Sequence, residues 1–138
     1  MKRKIVLDTN VLYSGLYSSR GASYKILYEI YRGNIVPVLS TPLVFEYEEI
    51  LKRKQSILKL TDQEINQLLD NICDLGEPQK IYYLWRPVIN DPKDDHILEL
   101  AVASKTNCIV THNIKDFKGS ENFGVMVITP KQLLEDLQ

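Results

Sequence analysis

The sequence predicts an α/β protein, a three-layer α/β/α sandwich with a mostly parallel central sheet, and two observations carry that prediction. Short β-rich apolar runs alternate with stretches of helical periodicity, the pattern of strands joined by crossover helices. Helix starts are also unusually legible, because a capping side chain repeatedly stands just before a proline. At 138 residues and 44% hydrophobic composition the chain can build one full core, so a single domain over residues 1–138 is expected.

Taken in order, Ile5 to Leu7, Ile35 to Leu39, Ile81 to Leu84, Cys108 to Thr111 and Val125 to Ile128 read as strands. Their continuous apolar character suits a sheet covered on both faces. Thr41-Pro42, Asp91-Pro92 and Thr129-Pro130 mark helix starts, and Thr61 to Glu64 forms a capping box. Ile26, Leu27, Ile30 and Tyr31 share one helical face, as do Ile65, Leu68, Leu69, Ile72 and Leu75, and both sets are assigned to the core. Gln55 to Leu60 reads as a helix-to-helix connection and Gly119 to Gly124 as a surface loop. Tyr13, Tyr17, Tyr24, Tyr28 and Tyr31 crowd the first third at helix-like spacings, which favours packing over stacking on nucleic-acid bases.

Composition narrows the function classes. With 17 Lys and Arg against 18 Asp and Glu, the net charge of -1 gives no global basic field, so a nucleic-acid partner would need local patches. Cys73 and Cys108 fit neither a disulfide framework nor a zinc spacing; both are expected to be buried thiols in a reducing compartment. No stretch approaches the about 20 apolar residues of a membrane helix. The basic start Met1-Lys2-Arg3-Lys4 is followed by too short an apolar run for a signal peptide, so the expected location is cytoplasmic, with no membrane partner.

The informative residues are acids in apolar contexts. Asp8 ends the run Ile5-Val6-Leu7, at the strand edge where open α/β sheets bind ligands, although Asp is also a good helix cap. Glu46 shares a helical face with Leu43 and Ile50, which would press its carboxylate on the core unless it emerges beside Asp8. Glu48 and Glu49 fall instead toward Lys52 and Arg53, as on a solvated face. Asp94 and Asp95 both border the buried stripe of the helix opened by Asp91-Pro92, where the macrodipole alone would favour them, and geometry does not choose between the two. The adjacent His96 reads as a surface partner of these acids. Thr111-His112-Asn113, followed by Asp116, puts hydroxyl, amide and carboxylate oxygens at the end of another strand; the bland reading has Asn113 capping a short helix and Asp116 exposed. Asp8, Glu46 and Asp95 need a shared counter-charge or a proton if buried. An oxygen-only cluster of this kind suits Mg²⁺ or Mn²⁺ rather than zinc.

The order Ile5-Val6-Leu7-Asp8-Thr9-Asn10-Val11-Leu12, then Glu46, then Asp91-Pro92-Lys93-Asp94-Asp95-His96-Ile97-Leu98-Glu99-Leu100-Ala101, then Val110-Thr111-His112-Asn113 with Asp116-Phe117, closely resembles the PIN-domain family. It looks most like the branch of toxin components of bacterial and archaeal toxin–antitoxin systems, the VapC-like ribonucleases. The resemblance implies a metal-dependent endoribonuclease that binds one or two Mg²⁺ or Mn²⁺ ions and leaves 5′-phosphate and 3′-hydroxyl ends. By position, Asp8, Glu46 and Asp95 correspond to the first three family acids. The fourth position departs from the pattern, since Asn113 stands where the family often has Asp; either Asn113 coordinates through its carbonyl oxygen or Asp116 supplies the charge. Thr9 and Thr111 would hold phosphate oxygens or bound water, with Asn10 beside them. Arg20, Lys115 and Lys118 are candidates for guiding RNA, and Arg86 a weaker one. A cognate antitoxin and a homodimer are implied by the same likeness. Two rivals remain: an Asp8-nucleophile phosphatase or phosphotransferase, against which Asn10 stands in place of a second acid, and a non-catalytic PIN-like scaffold that binds RNA or protein.

Overall fold

The computed structural model describes residues 2–81 and 95–137; residues 82–94 and the side chain of Asp95 lie outside the described part. Five parallel strands run β1 (Arg3–Leu7), β2 (Ile35–Leu39), β3 (Glu77–Pro78), β4 (Cys108–Val110) and β5 (Met126–Ile128), in the spatial order β3-β2-β1-β4-β5. Helices flank the sheet: α1 (Thr9–Tyr17), α2 (Ala22–Tyr31), α3 (Thr41–Arg53), α4 (Gln55–Leu58), α5 (Asp62–Leu75), α6 (Asp95–Ala103) and α7 (Pro130–Asp136). The α/β/α reading of the sequence therefore holds. Ile5, Val6, Leu7, Ile109 and Val110 are all buried, as consecutive residues must be when both faces of a parallel sheet are covered.

The chain builds outward from β1 to β2 and β3, then returns to the other side of β1 for β4 and β5. The reversal falls between β1 and β4, where Val6 pairs with Ile109 and Leu7 with Val110. The chain leaves β1 through α1 and β4 through a loop and a 3-10 turn, at the strand ends where open α/β sheets form their ligand crevice. Asp8 and Thr111, the residues that follow β1 and β4, stand at its floor.

Local signals explain most boundaries. Thr61 and Thr129 cap α5 and α7 with complete capping boxes, closed by Glu64 and Gln132. The start of α3 differs from the expectation: Ser40 is the cap, its hydroxyl accepting from Leu43 N–H at 3.3 Å, so Thr41 opens the helix and Pro42 is second. Pro is tolerated throughout the first turn, where no intrahelical donor is needed, and this permits the one-residue shift. Gln55–Leu58 is a short helix rather than a bare connection, ended by Lys59 in the left-handed region. The expected loop from Gly119 to Gly124 contains a 3-10 turn, Ser120–Phe123, with Ser120 buried and a positive φ at both glycines. The strand next to β2 is the exposed pair Glu77–Pro78; Ile81 is not in a strand, and the rest of the expected run Ile81 to Leu84 lies outside the described residues, as does the Asp91-Pro92 start.

Several core assignments are corrected. Ile26, Ile30, Ile65 and Leu69 are buried as expected, but Tyr31 is 75% exposed and Leu75 is exposed. Of the five clustered tyrosines, Tyr17, Tyr24, Tyr28 and Tyr31 are exposed, so packing does not account for them. Cys108 is buried, whereas Cys73 lies at the surface, and both are free thiols. Among the described residues no helix is long and apolar enough to cross a membrane.

Candidate active site

Asp8 leaves β1 in extended geometry and caps α1, its Oδ1 accepting from Thr9 N–H at 2.8 Å. Capping uses one carboxylate oxygen and leaves the other for the crevice. Oδ2 accepts from the Thr111 hydroxyl at 2.7 Å and from Asn10 Nδ2 at 3.4 Å. Thr111, fully buried, also accepts from Asn10 Nδ2 at 3.2 Å and from Asn113 N–H at 3.0 Å. Asn10 Oδ1 in turn accepts from His112 N–H at 3.2 Å. The loop after β4 is thereby fastened to the first turn of α1.

Glu46 reaches the same place from α3. Leu43 and Tyr47 are buried on that helix while Glu46 is half-buried, so its carboxylate emerges at the edge of the apolar face. The Thr9 hydroxyl donates to Glu46 Oε1 at 3.2 Å and lies 3.4 Å from Asp8 Oδ1, which links the two acids. The neighbouring Tyr47 donates its phenol to the carbonyl of Leu7, the residue before Asp8, at 2.5 Å. This bond fixes α3 against the end of β1. Glu48 and Glu49 pair with Lys52 and Arg53 at 3.4 and 3.6 Å, the solvated face the sequence suggested.

Electrostatics mark the pair as unfinished. Burial holds the Asp8 carboxyl above its ordinary value of 3.8, and the charge of Glu46 adds to the rise, despite hydrogen bonds from Thr111 and Thr9 that oppose it. Tyr47 is pushed well above 10.0 by burial first, and by the charges of Asp8 and Glu46. A buried carboxylate with a second acid beside it fits a hard cation, and every donor that meets Asp8 here is a hydroxyl or an amide.

The other expected residues fall around this centre to different degrees. Asp95 opens α6, and its side chain lies outside the described residues, as do Asp94 and Arg86. Asn113 precedes a 3-10 turn, Ile114–Phe117, without a side-chain cap bond, and joins the network through its main chain alone. Asp116 is half-buried on that turn and makes no bond to Asp8 or Glu46. Arg20, Lys115 and Lys118 are exposed on the flanking turns. Among the described residues no group of three His, Cys, Asp or Glu side chains stands ready to hold a metal.

One participant and one buried acid of α6 escaped the sequence reading. His96 is no surface partner: its Nε2 meets Glu46 Oε2 at 2.5 Å, with about a fifth of the side chain exposed. Glu99, one turn further on α6, is 3% exposed. Its position between Leu98 and Leu100, inside the otherwise apolar run from Ile97 to Ala103, was the available signal.

With this geometry in view, comparison with known proteins is specific on one point. A family model described as PIN domain matches residues 4–115, a span that runs from within β1 into the turn after β4 and holds Asp8, Glu46, His96 and Thr111, with Asp116 one residue beyond it. No curated protein matches the chain.

Proposed function

Since the chain belongs to the PIN-domain family, a nuclease-type fold that is commonly metal-dependent, we propose that it is a Mg²⁺- or Mn²⁺-dependent endoribonuclease centred on Asp8. The observation that carries this reading is the buried Asp8 carboxylate, tied through Thr9 to Glu46 at the point where the strand order reverses. Asp8 and Glu46 would hold the ion, with Asp95 as third acid and Asn113 or Asp116 completing the set. When bound, the ion supplies charge neutralisation at the scissile phosphate and lowers the proton affinity of an attacking water.

The chain's own residues do the positioning. Thr9 fixes the separation of the two acids, so that neither must reorganise when substrate arrives. Thr111 and Asn10 hold Oδ2 of Asp8 in place from the opposite side. The Thr111 hydroxyl is fully engaged by its three bonds, and the second lone pair of Asn10 Oδ1 suits an ordered water. Arg20 and Lys115, exposed on the flanking turns, are assigned to the RNA backbone.

Within the family, we read the chain as the toxin component of a toxin–antitoxin pair, acting as a homodimer and silenced by an antitoxin that covers the acidic edge. The support is the sequence likeness to the VapC-like branch. Growth arrest on expression, relieved by Asp8→Asn, is the expected outcome.

The direct test is cleavage of a mixed-sequence single-stranded RNA with Mn²⁺, with Mg²⁺ and with chelator, for the parent and Asp8→Asn. Metal-dependent cutting that disappears in the variant is expected. The scaffold reading draws on the fourth position, where Asn113 offers no charge. RNA bound but uncut, with no thermal stabilisation by Mn²⁺, would decide for that scaffold.

A further inference from the structure

The exposed tyrosines of α2 form an ordered row. Tyr24, Tyr28 and Tyr31 are 42%, 49% and 75% exposed, while Ile26 and Ile30 of the same helix are buried. At 3.6 residues per turn the three rings fall within an arc of about 60°, and their steps along the axis are about 6 and 4.5 Å. Those steps match the spacing between bases of a partly extended single strand.

Charge flanks the row on one side. Lys25 and Arg32 are exposed, and the Arg32 guanidinium lies 5.7 Å from the centre of the Tyr28 ring. The only acid of the helix, Glu29, is tied to Asn34 at 2.8 Å and to Arg32 at 3.7 Å. The start of α2 is joined to the loop that carries Thr111. Ser23, just before Tyr24, bonds His112 Nε2 at 2.9 Å, and His112 follows the Thr111 that holds Asp8.

We propose that this row is a stacking track for single-stranded RNA, which leads bases along α2 to the Asp8 crevice. The track rests on the nuclease reading, since the strand it guides would be cut there. The surface chemistry favours RNA over a protein partner. Every exposed large hydrophobic side chain of α1 and α2 is a tyrosine, with no aliphatic residue among them. Flat hydroxyl-bearing rings beside guanidinium and ammonium groups suit bases joined by phosphates.

The test is fluorescence anisotropy of a labelled mixed-sequence single-stranded RNA with the full chain in chelator, so that binding is read without cutting. Tyr24→Ala, Tyr28→Ala and Tyr31→Ala should each weaken binding roughly 5- to 150-fold, from stacking worth about 1–3 kcal/mol per base. The matching Phe variants keep the ring and should bind within about twofold of the parent on the same stacking logic. Alanine variants that bind as the parent does, Phe variants as weak as Ala, or a parent that holds no RNA would each overturn the track. So would sedimentation showing that the rings set the oligomeric state instead, with a second copy as the occupant. Ring-dependent binding without metal-dependent cutting would remove the nuclease and leave the track as a binding surface; cutting with KM unmoved in the triple alanine variant would do the reverse.

Discussion

Thr111→Val removes one hydroxyl from the centre of the network at nearly constant volume. In the parent that hydroxyl donates to Asp8 Oδ2 at 2.7 Å and accepts from Asn10 and Asn113. The two lost acceptor bonds are cheap, because Asn10 is half-buried and the Asn113 main chain lies in an exposed loop, so water replaces Thr111. The bond to the carboxylate is not, and bonds to charged groups contribute about 1.5–3 kcal/mol. The metal-free variant should therefore lose about 2–3 kcal/mol at neutral pH, measured by urea denaturation in chelator. The pH dependence makes the reasoning specific. Asp8 is raised above 3.8 in the folded protein, so its contribution to stability is full below that value and drains away as pH rises through the raised pKa. Thr111 limits that loss by holding the charged form. Its removal should thus be most damaging where Asp8 is ionised, and fall toward about 1 kcal/mol once the carboxyl is protonated. In an Asp8→Asn background the same change should cost clearly less. A loss that is identical at every pH, or undiminished in that background, would refute the argument and assign the hydroxyl to packing alone.

The remaining predictions concern the surroundings. Mn²⁺ at a hundred times its Kd should stabilise the parent by about 2.7 kcal/mol in a thermal melt and Asp8→Asn far less; equal shifts in both would place the ion elsewhere. Tyr47, held well above 10.0 by burial, should resist ionisation until the protein opens, and stability should fall as pH rises past the ordinary tyrosine value. Tyr47→Phe should abolish that late phase in an alkaline absorbance titration and cost about 1 kcal/mol for the bond to Leu7. Gly15→Ala should destabilise by about 1–3 kcal/mol despite the better helix propensity of alanine. The added Cβ would lie 2.5 Å from Leu27 Cδ1 and 3.0 Å from the Ser23 carbonyl, forcing α1 away from α2. A more stable alanine variant would contradict that close approach.

What could be read from sequence was what local chemistry determines. β1, β2, β4 and β5 were visible because buried parallel strands are apolar runs, whereas Glu77–Pro78 is a two-residue exposed edge with no hydrophobic signature. Asp8 and Glu46 stood out as charges in apolar settings, and their convergence followed from the strand-end rule. The pairing of Glu46 with His96 did not, because it joins residues 50 apart and a histidine among acids looks solvated in one dimension. The tyrosines are the instructive error. Spacing establishes that Tyr24, Tyr28 and Tyr31 share a side of α2, but not whether that side faces inward. Ile26 and Ile30, nearly opposite on the helix, already occupied the inner side.

The central contact of the site also constrains when the site can exist. Asp8 and Thr111 are 103 residues apart in the chain. At synthesis rates of about 5–20 residues per second, roughly 5–20 s separate their appearance. Throughout that interval β1 lacks the neighbour that closes the crevice, and Asp8 has neither Thr111 nor the loop that seats Asn10. A nascent chain therefore cannot assemble this network and acquires its complete centre only as β4 docks.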